Sequence, residues 1–491
     1  MLTTYISEDN VKQVLDSADK SLHECFDMLM QFRQAKRSLN KAILQFQPLL
    51  AETLFNLMEF YNKLSHEKRI LIDSKSNFSK EEFSKEMARN GCFMKAIRSA
   101  IEIGKSMGDA FVWFFYRDNR EDLEKHFEHE GTGLYVGGIG GRGELEFIKQ
   151  SLMIDGFYVL YHGITNILRI GDFSLYDFCH GIVGLGELKT RKEGNKLQIS
   201  GIISAKAPIH NPNDSERKQG SFEEQLAQLK KNFPTIERQI RTQTDFLETK
   251  KVDASATFRS SYEYDILNLL TPQNLFSLSS DKSLMLLATW SKYKTLYELL
   301  TEEEEFPGLP TDKFTDAAKS MIVSELPYNQ INIGRLTTVV TVLSIPILWW
   351  DIDEQICEDI YFRRVEITTI FNPAKLLNYF AEDGFSITEL GELNKIKLKK
   401  ITGDKNISFG NFSSVCFLIT NSLMKTHDAY LSVKHVIDET EKGKYPVGSR
   451  IDMHIHLDNF GKRIDDTEKR SASDGKESSD GQAENADAEQ G

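Results

Sequence analysis

The sequence predicts an α+β protein of 491 residues. Three observations lead there. Residues 8–72 repeat apolar side chains at helical spacing. Residues 156–203 alternate strand-forming runs with glycine turns. Residues 252–464 mix both patterns, with Val365-Glu-Ile-Thr-Thr-Ile-Phe and Val415-Cys-Phe-Leu-Ile-Thr reading as strands.

The N-terminal part, residues 1–130, is expected to be helical. With Val11 at position a, the a series runs Val11, Ala18, Cys25, Phe32, Leu39, Phe46, Thr53, Phe60. The d series runs Leu15, Leu22, Leu29, Lys36, Ile43, Leu50, Leu57, Leu64, and fourteen of these sixteen positions are apolar. That is a coiled-coil-like seam. Pro48 predicts a kink or a break into two helices. Ser79-Lys-Glu-Glu82 is a capping box that opens a further helix towards Tyr116. Aromatics at a positions suit a bundle within one chain; the same seam also suits a homo-oligomer or a partner protein.

Residues 131–143 are glycine-rich. Gly138-x-Gly140-x-x-Gly143 matches a dinucleotide fingerprint in form, but no βαβ unit with a suitably placed acid surrounds it. It reads better as a flexible hinge into a helix beginning at Arg142. Leu145, Ile148 and Leu152 define that helix's apolar stripe. Glu144 lies about 70° from its centre and Glu146 about 130°, so Glu144 is preferred as the acid facing the strands.

The strands bring further acids together. Cys179-His180-Gly181 is the natural turn between two strand-like runs. A regular hairpin about it places Asp172 opposite Glu187, with Cβ atoms ~5 Å apart, and pairs Asp177 with Ile182. Glu187 and Lys189 share a face. Two carboxylates at that distance repel by ~3 kcal/mol at an effective dielectric near 20. A divalent cation, Mg²⁺ or Mn²⁺, would relieve this, and Lys189 would serve an attacking water and a phosphate.

Asp172, fourteen intervening residues and then Glu187-Leu188-Lys189 resembles the PD-(D/E)XK, or restriction-endonuclease-like, nuclease superfamily. The resemblance covers about 65 of the 491 residues. It implies an αβββαβ core over residues 131–250, with Asp172, Glu187 and Glu144 as metal ligands and Lys189 as the lysine that serves the water and the scissile phosphate. It also implies cleavage of nucleic acid, DNA rather than RNA, in restriction, repair or anti-phage defence. Gly171 stands where the pattern has proline. Ser221-Phe-Glu-Glu224 would open the helix after the (D/E)XK strand, carrying Lys230, Lys231, Arg238 and Arg241. A different class of reading is a nuclease-fold scaffold that binds nucleic acid or a protein without cutting.

Composition sets the remaining bounds. Five scattered cysteines with no C-x-x-C argue against a disulfide framework or zinc site and favour the cytoplasm. Thr337 to Trp350 is too short to span a bilayer, so no membrane partner is expected. Net charge is −13, but residues 189–251 carry 13 basic against 8 acidic residues, a local surface suited to phosphate. Residues 251–464 form an α+β region of no secure role. Lys395-x-Lys-x-Lys-Lys400 reads as a solvated strand face there, and His454-x-His456 as a hydrated strand rather than a metal site. Residues 465–491 lack any hydrophobic side chain larger than alanine and carry 9 acidic against 3 basic residues; they are expected to be a disordered acidic tail.

Overall fold

The fold is that of a computed structural model. It describes residues 6–34, 41–117, 120–129, 138–177, 179–193, 196–205, 254–302, 311–322, 331–341, 344–388, 395–402, 405–409, 412–444 and 451–457. The helix expected at Ser221 and the acidic tail lie outside these residues.

The heptad pattern folds into α1 (Glu8–Gln34) and α2 (Lys41–Asp73), and the capping box opens α3 (Lys80–Tyr116). Ser79 Oγ accepts the Glu82 N–H while Glu82 accepts the Ser79 N–H, as predicted. The helices run up, down and up. The Ile6 N–H reaches Glu67 near the end of α2, and Arg89 near the start of α3 donates to the Ile6 carbonyl. The described a and d positions, Val11 to Leu64, are buried within this one chain.

Pro48 does not break the seam; it lies inside α2, and the chain passes between helices after Gln34. A proline in a helix interior costs about 3 kcal/mol. Burial of Phe46, Leu50, Leu54 and Leu57 outweighs this, at about 1.5–3 kcal/mol each. Beside it, buried Gln47 donates to the Val159 carbonyl at 2.8 Å and accepts the Tyr161 N–H at 2.9 Å. Those backbone groups are on the open edge of a strand, so α2 closes an edge that would otherwise be orphaned.

After α4 (Arg120–Phe127) comes α5 (Gly138–Gln150), then an antiparallel five-strand meander. Its strands, in spatial and chain order, are β1 (Met153–Ile154), β2 (Phe157–Tyr161), β3 (Phe173–Asp177), β4 (Gly181–Glu193) and β5 (Lys196–Ala205). α5 starts four residues earlier than predicted, so Gly138 to Gly143 are helical and not a hinge. The reason is packing. A Cβ on Gly143 would lie 2.0 Å from Thr190 Oγ1 on β4, so glycine lets helix and strand approach.

The second half is built on an antiparallel sheet ordered Phe276–Leu278, Leu284–Trp290, Val365–Phe371, Asn332–Arg335. Val365–Phe371 is the predicted strand. The Val415 run is not a strand: it forms the helix Phe412–Ser422, with Val415, Cys416, Leu418 and Ile419 buried. A short apolar run has no period that separates strand from buried helix. Lys395, Lys397 and Lys399 are exposed and alternate with buried Ile396 and Leu398, the expected strand face. His454 and His456 lie on Ile451–Leu457, which pairs in parallel with Ala254–Ser260.

Among the described residues the main hydrophobic cluster includes Val11, Phe111, Tyr158, Trp350 and Phe380, with two smaller clusters beside it. Much of Thr337–Trp350 is in it, and among the described residues no helix is long and apolar enough to cross a membrane. All five cysteines are free thiols.

Candidate active site

The β3–β4 hairpin sets the register of the site. Phe173 pairs with Gly186, Ser174 with Leu185 and Leu175 with Gly184. This is the predicted alignment, and it carries Asp172, just ahead of β3, beside Glu187. Nearer the turn the alignment slips. Val183 is left over as a bulge, so Asp177 pairs with Gly181 and not with Ile182. Asp177 instead accepts the N–H groups of Cys179 and His180, at 2.6 and 3.0 Å, and fixes the turn.

Asp172 is held from both sides. Its N–H donates to the Gly186 carbonyl at 2.8 Å, and its Oδ2 accepts the Leu188 N–H at 2.6 Å. Gly171 before it has φ 75°, a conformation closed to proline. On β4, Lys189 Nζ donates to Glu187 Oε1 at 3.2 Å. Glu144 points inward from α5 and accepts the Tyr161 hydroxyl at 2.6 Å. Glu146 is exposed and bonded to Gln150. Glu144, Asp172, Glu187 and Lys189 thus line one cavity of about 460 Å³.

The acids oppose one another's charge. Burial, then the Glu187 charge, raises the Asp172 carboxyl. Burial raises Glu144 as well, with Glu187 adding to it against the Tyr161 hydrogen bond. Among the described residues no three acidic, His or Cys side chains are grouped so as to hold a metal ion, and each of these carboxylates accepts a protein hydrogen bond. The donor type is nevertheless the one a hard dication takes: Glu144, Asp172 and Glu187 all present carboxylate oxygens to one cavity.

Sequence reasoning missed what holds these groups. Lys105 of α3 lines the same cavity and donates to the Thr165 carbonyl at 2.7 Å; burial lowers its pKa to about 8. One turn on, buried Asp109 accepts the N–H groups of Asn166 and Ile167 and the Asn166 side chain. His126 of α4 accepts the N–H groups of Arg169 and Ile170 through Nδ1, which puts its proton on Nε2, facing Tyr116 Oη. Burial keeps it neutral. Tyr116 then donates to Ser174 Oγ at 2.7 Å, Ser174 to His162 Nε2 at 2.6 Å, and His162 Nδ1 to the Gly171 carbonyl at 3.0 Å. Every member of that chain has one direction of donation open to it. It ends on the residue before Asp172. The signal available in the sequence was Lys105 and Asp109, two charges four apart inside the otherwise uncharged stretch 103–112.

No protein-family model matches the chain, and no curated protein and no solved structure matches it.

Proposed function

We propose that the protein is a metal-dependent nuclease with a PD-(D/E)XK-like site, hydrolysing nucleic-acid phosphodiester bonds, DNA in preference to RNA. The observation that carries this reading is the convergence of Glu144, Asp172, Glu187 and Lys189 on one cavity. Asp172 and Glu187, with Glu144, would hold Mg²⁺ or Mn²⁺, which when bound polarises the phosphate and activates water. The chain's own residues have distinct tasks. Leu188 N–H and the Gly171 turn orient Asp172. The Tyr161 hydroxyl orients Glu144. Lys189, paired with Glu187 and reaching the half-exposed mouth, is placed to direct a water and to offset charge developing on the phosphate. The part of the pattern present, α5 followed by antiparallel β2–β4, supports the fold assignment. β5 follows β4 directly in antiparallel pairing, where the pattern has a helix, and residues 206–253 lie outside the described residues.

A second reading, a nuclease-fold scaffold that binds without cutting, is favoured by the protein hydrogen bond each carboxylate already accepts. Incubating purified protein with plasmid, single strands and RNA under Mg²⁺, Mn²⁺ or EDTA separates the two. Metal-dependent nicking lost in Lys189→Ala supports the nuclease; binding with no cleavage under any metal supports the scaffold.

A further inference from the structure

The cavity has a second wall that the four motif residues do not explain. Helix α2 supplies Ala51, Leu54, Phe55 and Met58 to it. Ala51, Leu54 and Met58 are buried and belong to the main core. Phe55 does not. It is half-buried, and among the described residues it belongs to none of the hydrophobic clusters and makes no ring–ring contact. An aromatic ring left out of the core and turned to a cavity edge is unusual for a residue whose burial normally drives packing.

Its position is held. Glu52 and Glu59, three before and four after Phe55, share its helix face. Glu52 pairs with Lys149 at 3.0 Å and Glu59 with Arg142 at 3.8 Å, both on α5. Phe55 therefore sits between two ion pairs that span from α2 to α5. The cavity is enclosed by α2 on one side and by α5 and β4 on the other. Its about 460 Å³ is the size of a small-ligand pocket, not of a trough for a helix whose major groove alone is about 12 Å wide. Its chemistry is divided in the same way as a nucleotide: an aromatic face on the α2 side, and two lysines, Lys189 and Lys105, among the carboxylates.

We propose that the site takes one nucleotide of a single strand at a time, with its base laid on Phe55 and its phosphate facing Lys189 and Lys105. The substrate would then be single-stranded nucleic acid, a strand end, or a nucleotide turned out of a duplex, and intact duplex would be excluded. This rests on the nuclease reading above. Every base has a π face, so such a platform favours single strands without selecting sequence.

The test is equilibrium binding of the full chain with Ca²⁺ in place of Mg²⁺, by fluorescence anisotropy at one ionic strength. The probes are a labelled single strand, the matching duplex, and a single strand whose residues are abasic. The expected result is tightest binding to the intact single strand. Phe55→Ala should weaken that binding about tenfold and leave the abasic strand unchanged. Phe55→Trp should keep it, which separates loss of the ring from loss of folding. Equal binding of duplex and single strand, with Phe55→Ala indistinguishable from wild type, overturns the proposal. If that protein still cuts duplex with metal, only the pocket inference has failed. If no nucleic acid is bound and none is cut, the nuclease reading has failed with it.

Discussion

Asp172 and Glu144 arrive at the same cavity by different means. Asp172 ends the loop His162–Gly171, and the helical bundle grips that loop along its length: Lys105 at Thr165, Asp109 at Asn166 and Ile167, His126 at Arg169 and Ile170. The bonds to Thr165, Ile167 and Ile170 are buried and those to Asn166 and Arg169 half-buried. Glu144 rides on α5, which is tied to α2 by two solvent-exposed ion pairs and to the sheet by the Gly143 contact and the Tyr161 hydroxyl. Buried hydrogen bonds to a charged group are costly to break, whereas exposed ion pairs contribute little. The difference makes the bundle part of the site: it grips the backbone of the loop before one acid, and leaves the other on a helix held by exposed ion pairs and by the packing of Ile148 and Leu145 on the core.

The sharpest way to break this contrast is at Asp109. Asp109→Ala strands the buried Ile167 N–H and removes the partner of the Asn166 N–H, and should cost on the order of 3 kcal/mol in denaturant unfolding. A loss below about 1 kcal/mol would mean that the loop holds itself.

Asp172 can be probed through its charge. Its carboxyl is pushed up to about 7 by burial and by Glu187. A carboxyl raised in the folded state contributes its stability below its unfolded pKa, near 4, and that contribution is lost as pH rises through about 7. Without divalent metal, Asp172→Asn should therefore stabilise the protein at pH 8, on the order of 2 kcal/mol, with the advantage closing as pH falls towards 4. Thermal melts in EDTA across that range check it; a constant offset would contradict the assignment.

Much of this was legible in the chain, and the failures have physical causes. The Asp172–Glu187 juxtaposition follows from counting residues across a hairpin, because side chains alternate strictly. The count fails at Asp177, since one bulged residue, Val183, carries no mark in sequence. The preference for Glu144 over Glu146 came from helical angle, which survives an error of four residues in where α5 begins. Lys105 was passed over because its partner in space, Thr165, is 60 residues away. The Val415 helix was misread because burial on several sides erases periodicity.

A smaller effect is expected on the Glu144 side. Glu144→Gln should lower cleavage at least tenfold while Glu146→Gln leaves it unchanged, measured as initial rates with Mg²⁺; the reverse order would show that α5 turns Glu146, and not Glu144, towards the cavity. Smallest of all, Glu52→Gln with Glu59→Gln should change unfolding free energy by less than about 1 kcal/mol. A larger loss would make α5 as firmly held as the Asp172 loop and erase the contrast.

The most direct test of the central claim is plasmid and oligonucleotide cleavage by wild type and Lys189→Ala, compared in Mg²⁺, Mn²⁺ and EDTA, with melting temperatures taken alongside. The account predicts metal-dependent cleavage by wild type and a loss of about a thousandfold or more in Lys189→Ala, equivalent to ~4 kcal/mol of barrier, with melting temperature unchanged. Cleavage that persists in a well-folded Lys189→Ala protein, or no cleavage by wild type under any metal, would contradict it.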